Sequence, residues 1–188
     1  MIDTYVNDIK RSLSNRLYYP ALSLALTLPD ICGKAKYPNK KTSFRYIKWY
    51  DEYLGQYEHP QWDDDSPELP YLSGELVYSL RCALLHEGNP SVDKQKMDLI
   101  HFELMWNPGD NSIMGLNGSM AEAEIIEENG KQKAINRRYC VNVRDLCFKL
   151  CACAGAYYKC HKEEFDFFDY SIVNMNFHTR QIFRVDQP

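Results

Sequence analysis

Two side chains in one apolar segment have the right types for proton and phosphate chemistry: Arg81 and His86 in LSGELVYSLRCALLHEGN. Histidine can move a proton near neutral pH, while a guanidinium can hold a phosphate through paired hydrogen bonds and stabilise the charge that develops on it. Together they suit phosphodiester cleavage. In an α-helix residues advance by about 100° and about 1.5 Å each, so Arg81 and His86 should lie about 140° and about 7.5 Å apart, flanking a leucine stripe and not stacked. His86 falls in the last turn beside Glu87, a setting that suits a general acid. Asp30, Glu75 and Glu87 are candidate carboxylates to orient the pair, although acids on helix faces more often serve solubility.

A second set of residues could meet the substrate of such chemistry. Lys34, Lys36, Lys40, Lys41, Arg45 and Lys48 form a run without an acid, interleaved with Tyr37, Phe44 and Tyr46. Cations can contact phosphates and aromatic rings can stack on bases, so RNA binding is one reading; a solvated basic face is the plainer one. Cys147, Cys151, Cys153, Cys160 and His161 invite a third reading, as metal ligands. Only Cys147 and Cys151 share a helix face, and the spacing of a structural zinc site is absent, so small buried thiols and no metal or other cofactor are expected. His59 and His178 find no partner in the sequence.

The elements that must position these residues are mostly helical. Leu69, Leu72, Leu76, Leu80, Ala83 and Leu84 make one stripe, predicting a helix over 69–87 with Gly88 as its stop. Its far face carries Tyr78, Cys82 and Leu85, apolar enough to face a second element or a second protomer. Upstream, Ile2, Tyr5, Val6, Ile9 and Leu13 mark an amphipathic helix that Pro20 should kink or restart, with the following segment reaching Pro29 and a loop opening at Gly33 and Pro38. Thr42 and Ser43 are candidate caps for a helix buried through Phe44, Ile47, Tyr50 and Leu54.

The period changes after the leucine helix. Residues 99–106 alternate as a strand does, and AEIIEE and KQKAIN flank Asn129-Gly130, a pair suited to the positive φ angles of a tight hairpin turn. A small β-insertion over about 98–141 is expected. Asn142, followed three residues later by Asp145, starts a last helix through Val143, Leu146, Cys147, Leu150, Ala154 and Tyr157, and an aromatic tail from Phe165 should pack as extended chain.

The bulk properties fit one domain across residues 1–188. Hydrophobic residues at 45% and charged residues at 26% are ordinary globular values, which exclude a disordered or fibrous chain. The longest predominantly apolar stretch, Ala21 to Leu28, is too short for a membrane span, and MIDTYVNDIKRSLSN has no apolar signal core, so no membrane association and a cytoplasmic location are expected. Seven cysteines scattered through the chain do not form the framework of a secreted protein. A net charge of −4 argues against indiscriminate polyanion binding.

The segment from Leu72 to Asn89 resembles the motif helix of the HEPN superfamily, whose pattern is Arg, four to six residues, then His. LALTLPDICGK and FRYIKWYDEYL are similar, less specifically, to elements of an uncharacterised bacterial family of HEPN-like proteins. The resemblance covers about half of the chain. It implies a mainly α, HEPN-like helical bundle, here with a small β-hairpin insertion, and a homodimer in which two motifs build a composite site. It further implies a metal-independent endoribonuclease of a toxin or phage-defence type, with Arg81 and His86 catalytic, RNA as substrate and a protein antitoxin as a candidate partner. Many HEPN enzymes carry a polar residue after the motif arginine, where this chain has Cys82. That favours the alternative, a non-catalytic HEPN-like module that binds RNA, a nucleotide or a protein.

Overall fold

The computed structural model describes residues 2–58, 71–87, 101–105 and 120–167. Leu69, Gly88, His59, His178, the segment 59–70 and the tail beyond 167 lie outside these residues. What is described is mainly helical, with one small sheet.

The helices follow the apolar periods, with boundaries set by packing. α1 spans Ile2–Ser14 and buries Ile2, Ile9 and Leu13. It ends before Pro20 is reached: Arg16, at φ 59°, turns the chain out of the helix, and Pro20 sits harmlessly in the first turn of α2, Tyr18–Ala25. α3 spans Leu28–Lys36, so the loop expected at Gly33 does not form there. Gly33 is helical because its missing side chain is needed: a Cβ would lie 2.5 Å from the carbonyl oxygen of Arg45. That contact brings the backbones of α3 and α4 together.

α4 spans Thr42–Tyr50, widens into a π-turn over Asp51–Gly55, and ends in a single turn, α5, at Gln56–Glu58. Its N-cap is Lys41 without a side-chain hydrogen bond, in place of the expected Thr42 or Ser43. The buried face is also displaced from expectation. Tyr46, Trp49, Tyr50 and Leu54 are enclosed, whereas Phe44 is 47% exposed, because burying three adjacent aromatic rings removes more apolar surface from water than burying Phe44 and Ile47.

α6 spans Gly74–Cys82, starting after the expected Leu69, and continues as a π-turn over Ala83–Glu87. Ser73 caps it by accepting the Leu76 N–H at 3.3 Å. The leucine stripe is buried as predicted, through Leu72, Leu76, Leu80, Ala83 and Leu84. A second tie fixes the start of α6 against α4: Gly74 N–H donates to Asp51 Oδ1 at 2.7 Å, and side chains at Gly55 or Gly74 would collide with that carboxylate.

The sheet has the order β1-β3-β2, from His101–Met105, Lys131–Asn142 and Met120–Glu128. β1 runs parallel to β3, and β2 is antiparallel to it across the expected turn, where Asn129 and Gly130 take φ of 55° and 72°. β3 passes directly into α7, Val143–Cys160: Asn142 ends the strand, and its Oδ1 accepts the Asp145 N–H at 3.1 Å. α7 packs on α1, α2 and α3 through the predicted stripe from Val143 to Tyr157. Pairing of α3 with α4, and of α4 with α6, then brings three helices to one polar cluster.

Candidate functional site

The cluster lies where α3, α4 and the end of α6 meet. Close approach at Gly33 sets Asp30, one turn earlier on α3, beside Arg45 of α4. Arg45 Nε and Nη2 both donate to Asp30 Oδ1, at 2.9 and 2.8 Å. The other carboxylate oxygen is 3.8 Å from Arg81 Nη2, so Asp30 stands between two guanidinium groups. The side chains of Arg45, Asp30 and Arg81 are 17, 22 and 18% exposed, dry enough for these contacts to fix orientation better than a surface pair does.

Arg81 reaches on towards solvent. Its Nη1 lies 3.2 Å from Nε2 of the exposed His86 and 4.0 Å from Cys82 Sγ, while its buried Nε–H has no hydrogen-bond partner among the described residues. The contact with His86 differs from the sequence expectation that the two side chains stand about 140° apart. The physical reason is the π-turn over Ala83–Glu87: its i→i+5 hydrogen bonding brings residues five apart over one another, as an α-turn does for residues four apart. Guanidinium has no acceptor, so the Arg81–His86 contact is a hydrogen bond only when Nε2 carries a lone pair and the ring proton is on Nδ1. This is the form of a base. A general acid would require the contact to open.

Tyr78 was not singled out in the sequence as part of the site, and Tyr46, read there as a ring that could stack on a base, is enclosed in the core and cannot do so. Tyr46 is fully buried, its hydroxyl has no hydrogen-bond partner among the described residues, and burial pushes that phenol well above its ordinary pKa against the opposing pull of Arg81. Tyr78 packs edge-on against Tyr46 with ring centroids 5.2 Å apart. Burial, then electrostatic interaction and a hydrogen bond with the neighbouring Cys82 sulfur, also raises the Tyr78 hydroxyl. Both phenols retain their proton, and both feel the charge of Arg81. The spacing of Tyr78 on α6 is ordinary helical spacing, so no sequence signal placed it beside Arg81.

No family model, curated protein or solved structure matches the chain.

Of the three candidate carboxylates, Asp30 is in the cluster, Glu75 is exposed in the first turn of α6, and the side chain of Glu87 lies outside the described residues. The six basic residues divide. Arg45 is held by Asp30; Lys36 Nζ meets Glu52 Oε2 at 2.6 Å, and Lys48 Nζ lies 3.5 Å from Glu52 Oε1. Lys34 and Lys40 lie over the rings of Phe167 and Phe44, at 4.4 and 5.8 Å from the centroids, and Lys41 is exposed.

The cysteines and His161 do not converge. None of the seven cysteines is in a disulfide, and, against the expectation of small buried thiols, Cys160 is exposed at the end of α7. Burial pushes the thiols of Cys32 and Cys147 far up and that of Cys151 up to about 11, which keeps them protonated and poor ligands. Among the described residues, the group with metal-ligand potential is His161, Glu163 and Glu164, whose ligand atoms lie within 4.8 Å of one another. Glu164 is already committed, accepting from the Tyr157 hydroxyl and meeting His161 Nδ1 at 3.1 Å, so the group closes the end of α7.

Proposed function

We propose that the protein is an endoribonuclease that cleaves RNA without using a metal, of the toxin or phage-defence kind that the motif resemblance implies. The observation that carries this reading is the 3.2 Å contact of Arg81 Nη1 with Nε2 of an exposed histidine, Arg81 itself being aimed by Asp30. A phosphate arriving at Arg81 competes for the guanidinium and releases the Nε2 lone pair. His86 then takes the proton of a ribose 2′-hydroxyl, the 2′-oxygen bonds to phosphorus, and the P–O5′ bond breaks, leaving a cyclic phosphate and a 5′-oxygen that takes a proton from solvent or from a second histidine. In a homodimer paired at the exposed end of α6, that histidine is the partner's copy. Leu85, 37% exposed in this turn, supplies apolar surface for such pairing. A cytoplasmic location and a protein antitoxin belong to the same reading; among the described residues no helix is long and apolar enough to cross a membrane.

A second reading, a non-catalytic binding module, is favoured by the two guanidinium groups on Asp30, which also tie α3, α4 and α6 together. One experiment separates the two. Purified protein is incubated with total cellular RNA in chelator beside His86→Ala and Arg81→Lys. Cleavage lost in both variants supports the nuclease; fragments identical to wild type, or none from any protein, leave the module.

A further inference from the structure

We propose that the corner between α3 and α4 is a single-strand platform, with Phe44 as the surface on which an RNA base stacks and Lys40 and Lys41 as its phosphate contacts. That the strand is RNA rests on the nuclease reading above. The N-cap Lys41 with Phe44, Arg45 and Lys48 recurs at i, i+3, i+4 and i+7, so these residues share one side of α4, opposite the buried Tyr46 and Tyr50. Phe44 is 47% exposed in the middle of that face. Lys40 Nζ lies over that ring, 5.8 Å from its centroid, so a base stacking there takes the ammonium's place as Lys40 turns to the linkage; an aromatic ring beside cations binds unpaired nucleotides because every base has a π-face and every linkage a negative charge.

The platform is built in advance. Tyr37 meets the ring of Phe44 edge-on, with centroids 6.0 Å apart at 81°, and its hydroxyl is anchored on both oxygens of Glu52 at 2.8 Å. Lys36 Nζ is fixed by the same carboxylate and by the Tyr53 hydroxyl, at 2.6 and 3.0 Å. Phe44 is thus supported by a ring that cannot turn freely, which lowers the entropy lost when a base settles on it. Charge favours the same occupant: the ion pairs set Asp30 and Glu52 against Arg45, Arg81, Lys36 and Lys48, so cations outnumber acids even before Lys40 and Lys41 are counted. The next residue after Phe44 is Arg45, whose guanidinium shares Asp30 with Arg81. A strand stacked on Phe44 is therefore led towards Arg81 and His86.

The test uses His86→Ala protein in chelator, so that binding is read without turnover, and the fluorescence anisotropy of a labelled 12-nucleotide single-stranded RNA and of the same sequence in a duplex. The single strand should bind more tightly. Phe44→Ala should weaken it by about five- to 150-fold, with the salt dependence unchanged, and Phe44→Tyr should restore it. Changing Lys40 and Lys41 together to Ala should instead reduce the slope of log affinity against log salt by about 1.4. Equal affinity of the Phe44→Ala protein, with its helicity unchanged by circular dichroism, overturns the platform, and so does a duplex bound as tightly as the single strand. Failure of the nuclease reading looks different: the same Phe44-dependent binding, but no cleavage by the His86-containing protein.

Discussion

Among the described residues, a histidine stands in the π-turn that extends α6 and another caps the end of α7, and the two have opposite chemistry. At the end of α6, the His86 nitrogen faces a guanidinium and stands in solvent. At the end of α7, the His161 ring stacks on Tyr157 with centroids 4.4 Å apart and directs Nδ1 at the Glu164 carboxylate. A histidine donating to a carboxylate, with an aromatic ring behind it, closes a helix; a histidine whose lone pair is held by a guanidinium can be released to act. The same residue type at the same structural station is thus told apart by its partner's charge.

The largest expected effect tests that contrast directly. His86→Ala should lower RNA cleavage by at least about 100-fold at unchanged helicity, as loss of a general base does, whereas His161→Ala should leave the cleavage rate within about twofold of wild type. Equal losses in both variants would erase the distinction.

The next effect sharpens the role of the helix crossing behind Arg81. Gly33→Ala places a methyl group 2.5 Å from a backbone carbonyl oxygen that cannot move alone, so α3 and α4 must separate. A stability loss of about 1–3 kcal/mol in urea unfolding is expected, together with slower cleavage as Asp30 withdraws from Arg81. No such loss of rate should accompany changes at the end of α7. There, Glu164→Gln should cost about 1 kcal/mol by removing the charged acceptor of Tyr157 and His161, with the cleavage rate unaltered.

The smallest effect concerns acid. Burial pushes the Glu52 carboxyl up, but hydrogen bonds from Lys36 and Tyr37 outweigh it and hold Glu52 below its usual range. A depressed carboxyl stabilises the fold above its unfolded pKa and loses that contribution as pH falls through the lower, folded one. Unfolding free energies measured in urea from about pH 5 down to about pH 3 should therefore fall more for wild type than for Glu52→Gln, by less than about 1 kcal/mol given solvent screening. A greater fall in the variant would reverse the sign assigned to this group.

How far the sequence revealed these features depended on the range of the interaction. The leucine stripe of α6, the Asn142 cap and the turn at Asn129-Gly130 follow from residues a few positions apart, and each was legible. Arg81 and His86 were recognisable by type, but their contact was not, because a π-turn is a choice of backbone hydrogen bonds that no side-chain pattern near residue 83 announces. The interior place of Gly33 and the pairing of Asp30 with Arg45 depend on how two helices cross. Glycine in isolation reads as a break; at a crossing its lack of a side chain is what permits the helices to meet. Phe44 misled for a related reason, since the apolar period alone could not tell a ring on the outer face from one on the inner.

The order of the sheet has a kinetic consequence. β2 and β3 are joined by a two-residue turn, so their ladder can close on the timescale of a lone hairpin, about 1–10 μs. β1 finds β3 only across a long intervening chain and in the parallel sense, a slower search with a larger loss of loop entropy. Amide exchange in the native state should retain this history: the protons shared by β1 and β3 open to solvent before those of the hairpin, and the Asn142 junction, where β3 becomes α7, holds longest of the three.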